Sequence, residues 1–146
     1  MVVEVENLGI IKTDKDILNR IESAFYSQYQ RFEKRDSTIL AAEAYQRAHA
    51  LHMAIEAGDQ GQNSPEIDEP IKMNIKYLGM IEADESTFEK LAFAFNSECI
   101  NFQEDGNAIL TQESCHIYHA IYRGLQLHAD WRRAKEKYCH DMMNLV

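Results

Sequence analysis

Apolar residues recur along this chain with two different periods, and the succession of periods occurs twice. Val3 and Val5, and later Ile71, Met73, Ile75 and Tyr77, alternate with a period of two. That spacing predicts one short strand at the start of each of two units. Gly9 and Gly79 follow and predict a turn. The period then lengthens. Ile17, Leu18, Ile21, Ala24, Phe25, Gln28, Tyr29 and Phe32 fall on one helical stripe, and Phe88, Leu91, Ala92, Phe95, Cys99 and Phe102 on another. Asp14 and Asp84 stand where helix N-caps belong, and Ser86 with Glu89 spells a capping box.

Each stripe leads into a tight link. Asp105-Gly106 taken alone reads as a hairpin turn. Ser37 and Asn107, however, occupy matching places as N-caps of a following helix, which selects a helix–helix turn. The second helix carries Leu40, Ala44, Ala48, Leu51 and Ile55 and stops at Gly58. Its later counterpart carries Leu110, Tyr118, Ile121 and Leu125. There the pattern runs on through Trp131, Ala134, Tyr138 and Met142, predicting a long C-terminal helix with Gly124 as a place to kink.

The two units are related residue by residue at an offset of 70. Positions 8–57 and 78–127 share 13 identities in 50 without a gap, among them Leu8-Gly9/Leu78-Gly79, Ala24-Phe25/Ala94-Phe95, Ile39-Leu40/Ile109-Leu110 and His49-Ala50/His119-Ala120. Chance at ordinary residue frequencies gives about three or four. Two copies are too few for a solenoid. The expected fold is mainly α: an internally duplicated pair of αα-hairpins in a pseudo-two-fold four-helix arrangement, with room for two short β-strands. The expected organisation is a single domain over 1–146. Repeat one spans 1–57, an acidic linker 58–70, repeat two 71–127 and a C-terminal helical extension 128–146.

Charge adds a direction. The 146 residues hold 24 acids and 15 Lys or Arg, a formal net charge of −9. Hydrophobic residues make up 45%, enough for a core, so collagen, a disordered tail and a disulfide-knit miniprotein are excluded. The acidic balance argues against direct nucleic-acid binding, because phosphate backbones need a basic surface. Residues 56–113 hold 13 acids and three lysines. An acidic face of this kind either steers towards a basic partner or keeps a small protein in solution. The basic and aromatic run Trp131–Tyr138 either meets an acidic partner or complements a helix dipole. Cys99, Cys115 and Cys139 form no CxxC motif, residues 1–6 carry no secretory leader pattern, and no apolar run reaches membrane-spanning length. These features predict reduced thiols and a cytoplasmic location.

Candidate chemistry is confined to the second helices. His49 and His52, and His116 and His119, are spaced i, i+3 and share a helical face, as zinc or other transition-metal ligands do. Glu113 with His116 has the Glu-x-x-His spacing of carboxylate-bridged di-metal bundles. The match breaks at the other positions: Gln46 stands opposite His116, Ala92 opposite Glu22 and Gln103 opposite Glu33. Nucleotide-binding and hydrolase glycine motifs are missing from the sequence.

Two functions follow. The first is a small acidic module acting as inhibitor, immunity protein or adaptor towards a basic protein partner, for example a nucleic-acid-binding protein or nuclease. Its contacts would be Asp59, Glu66, Asp68, Glu69, Glu82, Asp84, Glu85 and Glu89. The second is a metal-binding helical protein, a hydrolase or oxidase, using His49, His52, His116, His119 and Glu113, with Glu56 nearby. The expected state is a monomer or a weak homodimer through the Trp131 helix, away from membranes.

Overall fold

The computed structural model describes residues 1–58 and 65–143. Its elements follow the order strand, strand, helix, helix, and that order occurs twice: β1 (Val2–Val5), β2 (Gly9–Lys12), α1 (Lys15–Lys34), α2 (Thr38–Ala57), β3 (Ile71–Ile75), β4 (Gly79–Ala83), α3 (Glu85–Glu104) and α4 (Ala108–Met143). The molecule is mainly helical and carries a small antiparallel sheet of order β1-β2-β4-β3.

Four strands stand where the periodicity predicts two. Gly9 does not turn the chain but opens the second strand of a hairpin, Gly9–Lys12, paired Val5↔Gly9 through Val2↔Lys12. The turn lies earlier, at Asn7 (φ 63°), and its counterpart at Tyr77 (φ 71°). Pairing satisfies backbone groups that a lone four-residue strand would leave open. Gly9 (φ +136°) and Gly79 (φ +128°) are needed for a different reason. A Cβ at Gly9 would collide with Thr87 Oγ1, and one at Gly79 would lie 2.6 Å from Ile17 Cδ1. The approach at Gly9 is therefore closed to a side chain, whereas at Gly79 the tip of Ile17 can yield and the positive φ is what calls for glycine.

The hairpins meet in the middle of the sheet, where Lys12 pairs with Glu82. The contacts cross reciprocally. Thr13 Oγ1 donates to the Met80 carbonyl (2.6 Å), and Thr87 Oγ1 donates to the Leu8 carbonyl (3.0 Å).

Alternation sends Val3, Val5, Ile11, Ile71, Met73, Ile75, Ile81 and Ala83 to the helical side, where all are buried. The helices cover that face: α1 packs on α2 and α3, α3 on α4, α2 on β1 and α4 on β3. Phe25, Phe88, Phe95, Leu18, Ile21, Leu51, Leu91, Ile117 and Ile121 fill the space between.

Both helix–helix links are the predicted turns. Ser37 N donates to Phe32 O (3.0 Å) and Asn107 N to Phe102 O (2.9 Å), the six-to-one bond of a Schellman ending. Asn107 Oδ1 then accepts from Leu110 N at 3.2 Å. The capping box of Ser86 and Glu89 is not used. Asp84 is the N-cap of α3, its Oδ1 accepting from Thr87 N at 2.8 Å, which places Ser86 inside the first turn. α4 runs 36 residues through Gly124, whose bare Cα admits Met73; a Cβ there would lie 2.7 Å from the Met73 sulfur. No helix among the described residues is long and apolar enough to cross a membrane.

Candidate functional site

The pleat that buries Val3 and Val5 turns Glu4 outward, and Glu6 lies exposed at the start of the turn that follows β1. Residues 65–70 bring Glu66 and Asp68 up to that edge, and the N-terminus of α3 adds Asp84. These five carboxylates line one cleft of about 730 Å³ whose single cation among the described residues is Lys90. Four of the acids are exposed, and Asp84 is half-buried with one oxygen held by its cap. A concave surface of one sign focuses its field outward and raises the encounter rate of a cationic partner.

Of the eight acids singled out from the sequence, Glu66, Asp68 and Asp84 are thus brought together. The others are spread. Glu82 sits on β4 opposite Lys12. Glu85 faces Arg132 (3.4 Å), and Glu89 is exposed on α3. Glu69 (φ 49°) lines a separate groove with Pro70, Trp131 and Arg132 along α4. Asp59 lies outside the described residues. Glu4 and Glu6 complete the cleft and were missed by sequence reasoning, although the alternation of Val3 and Val5 already turns position 4 outward.

The helix histidines are exposed, and each meets a neighbour of its own. His49 stacks on Tyr45 with ring centroids 6.2 Å apart, and His119 lies edge-on to Tyr118 at 5.0 Å. His116 lies edge-on to Tyr77 at 5.6 Å. His52 Nδ1 is 3.2 Å from Glu22 Oε1. Glu113 is half-buried and Glu56 exposed. Among the described residues, no three His, Cys, Asp or Glu side chains converge as a metal would need.

The most enclosed charge is one that the sequence reading passed over. Glu98, 2% exposed, receives both terminal nitrogens of Arg20 across the α1–α3 interface and the Ser114 hydroxyl at 2.6 Å. The Arg20 guanidinium also lies 5.2 Å from the centroid of the Phe95 ring. A signal existed: Gln28, 70 residues earlier, lies on the apolar stripe of the first helix, a polar residue at a core-facing position. Next to this set, Cys99 Sγ is 2.9 Å from Cys115 Sγ. Burial, followed by that contact, pushes the Cys99 thiol up to about 12.

No protein-family model, no curated protein and no solved structure matches this chain.

Proposed function

We propose that this protein is an acidic docking module, an inhibitor, immunity protein or adaptor, that engages a basic protein partner through the cleft of Glu4, Glu6, Glu66, Asp68 and Asp84. The observation that supports the reading is the convergence of five carboxylates from three separate stretches of chain on one concave surface. A solubilising surplus of acids has no reason to gather in this way. The free cysteines are in keeping with a reducing, cytoplasmic compartment.

We further propose that the chain is a duplicated strand–strand–helix–helix unit. Lys12 pairs with Glu82, its own counterpart at an offset of 70, as a two-fold axis between β2 and β4 requires. The crossed contacts Gly9–Thr87 and Gly79–Ile17 are each other's counterparts at the same offset.

The test of docking uses immobilised protein in lysate at about 50 mM and about 300 mM salt, where screening lengths differ more than twofold. The partner retained by the wild type is purified, and its association rate measured against wild type and a Glu4→Lys/Glu66→Lys/Asp68→Lys variant. The expected result is a basic partner whose association slows by about tenfold or more with the variant and with salt. Equal association rates at every salt concentration would rule out the cleft as the docking surface.

A further inference from the structure

A second cleft, of about 470 Å³, lies between α1, α2 and α3, within the size range of small-molecule sites. Its charge is opposite to that of the chain. Among the described residues, Arg31, Arg35, Arg47 and Lys90 line it against one carboxylate, Glu43, in a protein of net charge −9. Two of these cations are anchored: Arg47 Nε donates to Asn7 O (3.0 Å), and Arg31 pairs with Glu104 (3.1 Å). Arg35 and Lys90 have no ion-pair partner among the described residues.

Gln28 marks where the two units differ beneath this cleft. It lines the cleft, is only 6% exposed, and its Oε1 is buried without a hydrogen-bond partner. An unpaired buried acceptor costs about 1–3 kcal/mol and calls for an explanation. The corresponding position in the second unit shows what is missing. There Glu98 is saturated by Arg20 and Ser114. At the same offset of 70, Lys90 stands in place of Arg20 and Ala44 in place of Ser114, and the acceptor of Gln28 is left open.

We propose that this cleft binds a phosphate-bearing small molecule of nucleotide size. Arg35, Arg47 and Lys90 take the phosphates, because guanidinium forks match phosphate oxygens and the lysine adds a point charge. Phe93, 54% exposed on the cleft wall, offers an aromatic surface to a planar ring. The site is distinct from the acidic cleft, with which it shares only the Lys90 rim.

The test is calorimetric titration of the full chain, at low salt, with ADP, GDP, CDP and UDP, and separately with inorganic phosphate and adenosine. At least one nucleoside diphosphate is expected to bind at one per chain with Kd below about 1 mM. Phosphate and adenosine are each expected to bind at least about tenfold more weakly than that nucleotide. Arg35→Glu, at an exposed position, and Lys90→Glu are each expected to weaken it by about tenfold or more, with the circular dichroism spectrum unchanged. Three results would each overturn the proposal: no binding by any of the four nucleotides, binding indifferent to both reversals, or inorganic phosphate binding as tightly as the nucleotide. None of these readouts involves the protein partner, so failure here is separable from failure of the docking reading.

Discussion

Replacing Arg20 by Met keeps an aliphatic stem but removes the guanidinium that meets both Glu98 and the Phe95 ring. Glu98 is 2% exposed, and its remaining partner is the Ser114 hydroxyl at 2.6 Å. Breaking a buried pair from one side costs about 3–5 kcal/mol, because the surviving charge stays desolvated. Arg20 is 30% exposed on its side chain, so water can enter from that direction, which places the expected loss near the lower end, about 3 kcal/mol. For a chain of this size that corresponds to a fall of roughly 10 °C in Tm. The double variant Arg20→Met/Glu98→Gln replaces the stranded carboxylate by the amide that Gln28 already presents 70 residues earlier. It is expected to recover at least about half of the loss, since a neutral amide is far cheaper to bury than a charge. Urea unfolding followed by circular dichroism measures both. A single variant costing less than about 1 kcal/mol, as exposed ion pairs do, refutes the reasoning, as does a double variant no more stable than the single one.

Four further outcomes are expected. Gly9→Ala loses about 2–4 kcal/mol in the same assay, through positive φ and collision with Thr87, and Gly79→Ala about 1–3 kcal/mol, chiefly through positive φ; a loss under 1 kcal/mol at Gly9 means that the approach to Thr87 is loose. Alkylation followed by mass spectrometry labels exposed Cys139 first and buried Cys99 last. Because the folded chain raises Cys99 from its ordinary 9.0 to about 12, its contribution to stability is complete below pH 9 and declines from there towards pH 12. Wild type therefore loses more stability than Cys99→Ala over that window, and parallel curves contradict the assignment. Removing residues 131–146 leaves the unfolding free energy within about 1 kcal/mol, since 131–143 are exposed throughout, whereas a larger loss assigns that stretch a packing role.

The helices were legible because their stripes are wide and rich in large side chains, and a stripe such as Leu18, Ile21 and Phe25 can only be buried one way. The hairpins were half legible. Val3 and Val5 announce a strand, but Gly9 invited a turn that Asn7 makes instead, and tight packing against Thr87, not turning, is what demands the glycine. Asp84 outcompeted Ser86 as cap because the helix begins two residues earlier than the capping-box pattern implies. For the sites, sequence gave charge and exposure but not neighbours. Helical spacing aligned His49 with His52, yet what each meets is set by Tyr45 and by Glu22 from another helix. Glu66 and Asp68 were marked by composition, while their meeting with Glu4 and Glu6 depends on where the segment before β3 returns to the sheet. Gln28 was visible on the apolar stripe, but only the structure separates its open acceptor from the saturated Glu98.

Carboxyl footprinting of the complex with the captured partner tests the central claim most directly. Solvent-exposed carboxylates are coupled to an amine with the partner present and absent, and labelling is quantified residue by residue. The account predicts protection of Glu4, Glu6, Glu66 and Asp68 together, with exposed Glu43, Glu56 and Glu104 unchanged. Full labelling of the cleft acids in the bound state, with protection falling elsewhere, contradicts it.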